Sequence, residues 1–539
     1  MSILSKINLS HLKYLFLIPI VLGWFYYQGY YLSRNSYPFD DQSDYLSYAI
    51  QIKDTGGVLK FPYNLVTNNF SENRKNPLYA VLLSPFAKAN PSFFRDAKFI
   101  NYILSFTLLI TIFGVVLKSF GIVPAMAVAV VFSCNKFLIE EFAVVVPDSL
   151  FVGLCAVSWF FLWRGLEENA SKKLIWGMGV ASLAFFAKPA GILVLLSYIF
   201  SVGLIFKFKV LSNRNFWLSL VTFFLVSSPL FLRNIIVYRN PFYNNNTSLL
   251  WIDNRQERRA VGFRENPPTA LNYFKTHQLG NEVSQLAQNS VRILSNVSLI
   301  ALFEVQQLRY PIILLGLMLL GMLFDPQKKR ALFSMVLFGA FFVFFSYNYR
   351  VSPHYRHLIP VGFLFICYPT FFLVSILKSS KVLKLLMLLI SFTPLILAYQ
   401  TGKVVPLPKV EAGLIEMPSE QSALINFAQI NFTKDTIYIK GNEERLSYEW
   451  YTSISGVKII HPYLNSFAEF VNFIKENKIR YIILGSSTVY SFPEIYDGYF
   501  NFNSGRVKIV TTPKNWSLVF SYSGNDENKL PRVLVYEII

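Results

Sequence analysis

The chain has 539 residues, of which 53% are hydrophobic and 52 are Phe, and a formal net charge of +19; its mean hydropathy is +0.40. Such a composition excludes an ordinary soluble protein. The positive excess lies in short loops beside apolar runs, which membrane topology and anionic headgroups explain better than nucleic acid does.

About eleven apolar runs read as membrane helices. The first, Tyr14 to about Tyr31, follows Lys6 and Lys13 and reads as an uncleaved signal anchor with a cytoplasmic N-terminus. A polar external loop, 32–98, leads to runs at about 99–117, 122–137, 149–163, 174–187, 190–206 and 216–232. A second external loop, 233–310, precedes runs at about 311–324, 331–347, 358–377 and 385–399. Several are shorter than the ~20 residues that cross the hydrocarbon core.

Charge gives these runs their sidedness. Five connections hold Lys118; Arg164, Lys172 and Lys173; Lys207, Lys209 and Arg214; Lys328, Lys329 and Arg330; and Lys378, Lys381 and Lys384, against only Glu167, Glu168 and Asp325. The positive-inside rule makes these the cytoplasmic ones. The alternation then predicts a multi-pass protein of the cytoplasmic (inner) membrane with its C-terminus outside. Pro406, Pro408 and Pro418 mark a linker at 401–420 between a membrane module, 1–400, and a last region, 421–539. That region alternates helix (423–432), strand (436–440), amphipathic helix (464–477) and strand (480–484), the pattern of a small extracytoplasmic α/β domain. It carries no phosphate-binding glycine loop and no nucleophile elbow.

The chemically distinctive residues gather in the outer connections. Asp40-Asp41-Gln42-Ser43-Asp44-Tyr45 packs three carboxylates into five residues just beyond a helix, a charge density that calls for a cation or substrate hydroxyls; an acidic cap on a helix reads equally well. Arg74-Lys75-Asn76-Pro77-Leu78-Tyr79 is either a phosphate clamp or a pair of headgroup anchors. Asp148, in Pro147-Asp148-Ser149-Leu150, stands at the mouth of an apolar helix, where an unpaired carboxylate is costly. Lys188-Pro189 breaks two runs, and Arg233-Asn234 ends another ahead of Asn240-Pro241-Phe242. Arg350 and His354-Tyr355-Arg356-His357-Leu358-Ile359-Pro360 lead into the penultimate run. The three cysteines lie in or beside apolar runs and the histidines show no HExxH spacing, so neither a disulfide framework nor a metal site is expected.

Taken in order, these signatures resemble the polytopic GT-C glycosyltransferases, in the branch of protein O-mannosyltransferases and aminoarabinose transferases. Asp40-Asp41…Tyr45…Ala49 is similar to that family's first acidic motif, with Asp41 in register with its leading Asp. Lys75-Asn76-Pro77-Leu78 is similar to a Lys-Pro-Pro-Leu segment, with Asn76 in place of one Pro. Pro147-Asp148 resembles the second acidic motif, and Lys188-Pro189-Ala190-Gly191 an Arg-Pro-x-Gly element. Arg233-Asn234 and Arg356-His357-Leu358-Ile359-Pro360 resemble the later Arg-Asn and Arg-Tyr-Leu-Leu-Pro motifs. The resemblance implies a GT-C-like α-helical membrane fold and transfer of a sugar from a polyprenyl-phosphate-linked donor to a lipid, protein or glycan acceptor among membrane lipids, with no cofactor. It implies Asp41, Asp40 and Asp148 as catalytic acids, with Asp41 the general base, and Lys75, Arg74, Arg356 and His357 as the lipid-phosphate site. Tyr45, Lys188, Arg233 and Asn234 are candidate substrate-binding residues. A transporter or flippase, and a polysaccharide polymerase or ligase, remain as alternatives.

Overall fold

The computed structural model describes residues 17–539 apart from 71–74, 254–267, 302–308, 378–388, 394–418, 441–455, 524–529 and a few single or paired positions. Most of the expected linker, the expected roles of Asp40 and Arg74, and nearly all of the run at 385–399 lie outside the described residues.

The apolar runs form helices because, in hydrocarbon, each backbone N–H and C=O must be satisfied within its own segment. Among the described residues six helices are long and apolar enough to cross a membrane: Ser92–Phe120, Asp148–Glu168, Pro189–Ser212, Arg214–Tyr238, Lys328–Asn348 and Arg356–Leu377. The run expected at 122–137 is instead a pair of helices, Ile122–Cys134 and Lys136–Ala143, bent by 62°. Asn135 causes the break: its side chain accepts from Leu138 N and caps the second helix. Helices Leu17–Arg34, Ser171–Ala187 and Arg309–Leu323 fill three further expected positions but are shorter or less apolar.

Among the described residues, four of the basic connections meet at one end of this bundle. Lys329 Nζ donates to Leu166 O at 2.7 Å, Arg330 Nη1 donates to Ser119 O, and Asn215 Nδ2 donates to Asn169 O at 3.3 Å. Beneath them lies a bidentate pair in which Arg330 Nε and Nη2 each stand 2.7 Å from an oxygen of Asp325. Both side chains are almost fully buried. The Arg330 guanidinium lies 4.2 Å over the Phe120 ring. Tyr368 OH stands 3.1 Å from Ser334 Oγ and 3.3 Å from Asp325 Oδ2, and Trp159 Nε1 donates to Ser334 Oγ at 2.9 Å. The pair is satisfied on every side, the condition on which a buried ion pair is tolerated. Gly321 permits the close packing here, since a Cβ would fall 2.4 Å from Tyr368 O.

Reporter fusions test the charge alternation read from the sequence. Fusions after Lys173, Lys209, Arg330 or Lys381 should read cytoplasmic, and fusions after Asn90, Asn246, Tyr349 or Asp526 external. An internal signal at Asn246 would put the two long loops on opposite faces.

The C-terminal region contains a five-stranded sheet in the order β2-β1-β3-β7-β6. Strand β1 (Ile437–Lys440) runs parallel to β2 (Val457–Ile460) and to β3 (Tyr481–Gly485). Strand β7 (Val533–Ile538) runs antiparallel to β3 and to β6 (Trp516–Tyr522). A separate hairpin pairs β4 (Phe500–Asn503) with β5 (Arg506–Ile509). Alternation along β3 explains why both faces are covered. Tyr481 and Ile483 pack with Leu424, Ile425 and Ala428 of helix Ser419–Asn431. Ile482 and Leu484 pack with Phe470 and Ile474 of helix Phe467–Glu476. The expected helices and strands are present within a few residues, and β7, which no local pattern announced, lies between β3 and β6.

Candidate active site

The opposite end of the bundle collects charge from segments far apart in sequence. Asp41 opens the helix Asp41–Asp54, so its carboxylate sits at the positive end of the helix dipole. Lys75 Nζ lies 3.0 Å from Asp41 Oδ1 and also pairs with Asp44. On the other side, Arg356 Nη2 stands 3.8 Å from Asp41 Oδ2. Asp41 therefore has a different cation at each oxygen, one from the loop expected at 32–98 and one from the start of a late helix.

Asp148 sits deeper. Its side chain is 4% exposed, against 37% for Asp41, and Lys188 Nζ stands 2.6 Å from its Oδ1. Lys188 is held by a sharp reversal in which Gly191 N donates to Lys188 O at 2.9 Å. Glycine is required there, because a Cβ on Gly191 would lie 2.3 Å from Phe185 N. Asn76, next to Lys75, donates from Nδ2 to Phe185 O, near the end of the helix that leads into Lys188. The residue that departs from the Lys-Pro-Pro-Leu pattern thus ties the Lys75 loop to the Lys188 turn.

Neutral polar groups fix the rest. Buried Gln42 accepts from Val145 N and from Asn35 Nδ2, both at 2.8 Å, which anchors the acidic helix to the bend leading to Asp148. Asn101 Nδ2 donates to Phe142 O at 2.6 Å and Val144 O at 2.8 Å, and Tyr79 OH lies 3.2 Å from Asn101 Oδ1. Burial, with the charges of Asp41 and Asp148 adding to it, pushes the Tyr45 phenol well up. Burial and Asp148 do the same for Tyr79. Both remain neutral hydroxyls. Lys75 Nζ also lies 5.2 Å over the Tyr45 ring.

Glu141, with His354 beside it, is the acid that the sequence reading missed. His354 Nε2 stands 3.7 Å from Glu141 Oε1. The signal was there: Glu140-Glu141 lies a few residues before Pro147-Asp148, in the connection between the runs expected at 122–137 and 149–163. Burial, then the Arg356 charge, push the His354 imidazole down to about 4, with Asp148 opposing. Near neutral pH its contact with Glu141 is therefore not an ion pair. The sign of the linkage follows. Between about pH 6.5 and pH 4 the unfolded chain takes up a proton that the folded chain refuses, so stability falls as pH falls through that window. His354→Gln should remove this part of the acid sensitivity, seen as a thermal midpoint that gains on wild type as pH drops; a gap constant with pH would rule it out.

The structure thus brings together Asp41, Tyr45, Lys75, Asp148, Lys188 and Arg356. His357 faces another way, with its ring stacked 4.6 Å from Phe345 and Nε2 3.0 Å from Ser352 Oγ. Arg233 donates from Nε and Nη2 to Asn234 Oδ1 at 3.1 and 3.0 Å, and Asn234 Nδ2 donates to Pro241 O and Tyr243 O, both at 3.0 Å. These bonds give Arg233-Asn234 a visible part in holding the turn that follows their helix.

The helical bundle and the sheet region after it give this chain a fold that is also found among solved structures. No family model and no curated protein matches the sequence. Among solved structures, the chain is similar to ArnT from Cupriavidus metallidurans bound to undecaprenyl phosphate, at 12% identity, with 98% of each chain covered and a TM-score of 0.55. The same protein in the apo state matches at 11% identity, again over 98% of each chain, with a TM-score of 0.52. An oligosaccharyltransferase from Archaeoglobus fulgidus, tethered to an acceptor peptide, matches at 12% identity over 94% of this chain and 75% of that one, with a TM-score of 0.50.

Proposed function

We propose that this protein transfers a sugar from a polyprenyl-phosphate-linked donor to an acceptor hydroxyl on the outer face of the cytoplasmic membrane, with inversion at the anomeric carbon. The observation that carries the reading is the placement of Lys75 and Arg356 on opposite oxygens of Asp41. A base and two cations within one small volume match what this reaction needs: proton removal at the nucleophile and charge stabilisation at the leaving group. The fold adds a prior by analogy, since one similar structure is bound to undecaprenyl phosphate and another is tethered to an acceptor peptide. It also weighs against a transporter or a polymerase.

In this scheme Asp41 takes the proton from the acceptor hydroxyl as its oxygen attacks the anomeric carbon. The bond from that carbon to the phosphate oxygen breaks, and the electron pair leaves with the lipid phosphate. Lys75 supplies a compact charge to that phosphate and Arg356 a forked one, with Arg74 in support. Asp148 and Lys188, paired and mostly buried, orient the sugar or acceptor, and Tyr45 offers a neutral hydroxyl. Residues 1–400 form the catalytic module, and 421–539 an extracytoplasmic domain. The test is to incubate purified protein with defined polyprenyl-phosphate sugars and follow release of the lipid phosphate and anomeric configuration of the product. Consumption of none of them, or retention of configuration, would count against the reading.

A further inference from the structure

A second polar site lies in the other external loop, away from the acids and cations above. It is an open cleft of about 460 Å³ whose lining includes Asn281, Ser284, Gln285 and Gln288 on the helix Leu279–Ala301. That volume falls in the ~300–1,000 Å³ range of small-ligand sites. Behind two of its lining residues, Glu282 and Gln285, lies charge already matched inside the protein. Arg350 Nη1 donates to Tyr273 OH at 2.6 Å, to Glu282 Oε2 at 3.1 Å and to Gln285 Oε1 at 3.1 Å, while Nη2 donates to Leu250 O at 2.8 Å. The Arg350 and Glu282 side chains are 4% and 10% exposed. Tyr273 OH also lies 2.8 Å from Glu282 Oε1 and 3.0 Å from Asp253 Oδ1. At the rim, His277 Nε2 pairs with Asp253 Oδ1 at 3.0 Å, and its ring stacks 3.9 Å from Tyr273.

We propose that this cleft binds an uncharged, hydroxyl-rich glycan. The argument is one of matching. An anionic ligand would need a cation, and among the described lining residues the positive charge belongs to His277, already met by Asp253, while Arg350 below is committed to four acceptors. A hydrogen bond to the Tyr273 carbonyl, aided by Asp253, pushes the His277 imidazole up, which keeps that rim pair balanced. An acyl chain would need an aliphatic wall, and each described lining residue instead sets a polar group beside the carbon surface it exposes, the mixture that a sugar's hydroxyl edge and C–H face require. Amides present donor and acceptor side by side, as vicinal sugar hydroxyls do. Gln285 is pre-organised for this: its carbonyl oxygen is held by Arg350, which leaves its NH₂ for the ligand.

The cleft also has a route to the charged cluster. The helix Leu279–Ala301 packs against the turn Tyr355–Leu358 that carries Arg356, and Arg350 lies shortly before that turn. Resting on the transferase reading, the glycan held here is the acceptor-side part of the substrate.

The test uses the full chain in nanodiscs and a panel of uncharged malto-, manno-, xylo- and chito-oligosaccharides, with binding read by calorimetry and saturation-transfer NMR. At least one should bind, and Gln288→Ala and Gln285→Ala should each weaken it about tenfold, the loss of one hydrogen bond to the ligand. Undecaprenyl-phosphate binding should be unchanged in both variants. Gln288→Glu keeps the size and guards against a folding artefact. No binding across the panel, or binding indifferent to both positions, overturns the proposal. Oligosaccharide binding that persists in a protein indifferent to every lipid-phosphate sugar would overturn the transferase reading instead and leave the cleft standing.

Discussion

Lys75→Ala and Arg356→Ala should each weaken binding of polyprenyl phosphate and slow transfer severely, and the double variant should be far less than additive. As separate headgroup anchors the two would be independent, weakly contributing and easily replaced. They come from opposite ends of the membrane module, yet each reaches Asp41, at 3.0 and 3.8 Å. A phosphate seated between them would be gripped by both, and removal of either leaves its charge under-compensated in a site of low dielectric. Residues that act as one unit give strongly non-additive losses. Arg356→Lys should rescue only in part, because an ammonium cannot supply the planar fork. Competition by polyprenyl phosphate in the wild type, both single variants and the double variant checks this. Wild-type affinity in both singles would remove the clamp. Since Lys75 also neutralises Asp44, a thermal midpoint for each variant separates lost binding from lost folding.

Asp41→Asn should abolish most turnover, by about 10²–10⁴ as for loss of a general base, while lipid-phosphate binding stays near normal. The amide keeps the shape and still accepts a hydrogen bond, but it cannot take the proton. Asp148→Asn should behave differently: it leaves Lys188 facing a neutral group in a mostly buried position, so expression and stability should fall along with rate. Asp40→Asn should be milder than Asp41→Asn. Single-turnover rates with saturating donor decide it, and the reverse order for Asp40 and Asp41 would shift the assigned base by one residue.

The sequence was most readable where chemistry is dense and local. Asp41, Lys75, Asp148, Lys188 and Arg356 could be picked out from short motifs and their common side of the membrane, and the structure groups them. Helix existence was legible because apolar length leaves the backbone few options. What was not legible depends on partners far away in sequence. Glu141 matters only because the chain bends at Asn135 and turns that acid toward His354. Nothing near Glu282 announces that Arg350 will cross to it. Gln42 looks like a spacer between acids until Val145 N is found on its oxygen. In the C-terminal region, the place of β7 between β3 and β6 is a long-range pairing that periodicity cannot supply.

The Asp325–Arg330 pair has a consequence for how the chain enters the bilayer. Its partners are only five residues apart, Asp325 in the connection between two consecutive helices and Arg330 in the first turn of the second, whereas the groups that later surround it, Ser119 and Tyr368, are made much earlier and somewhat later. Neutralisation is therefore local and docking is remote. During synthesis the hairpin can cancel its own charge as soon as it emerges, so its integration need not wait for the rest of the bundle. The aromatic and hydroxyl groups of the neighbouring helices then receive a dipole rather than two ions, a much smaller electrostatic penalty for late assembly.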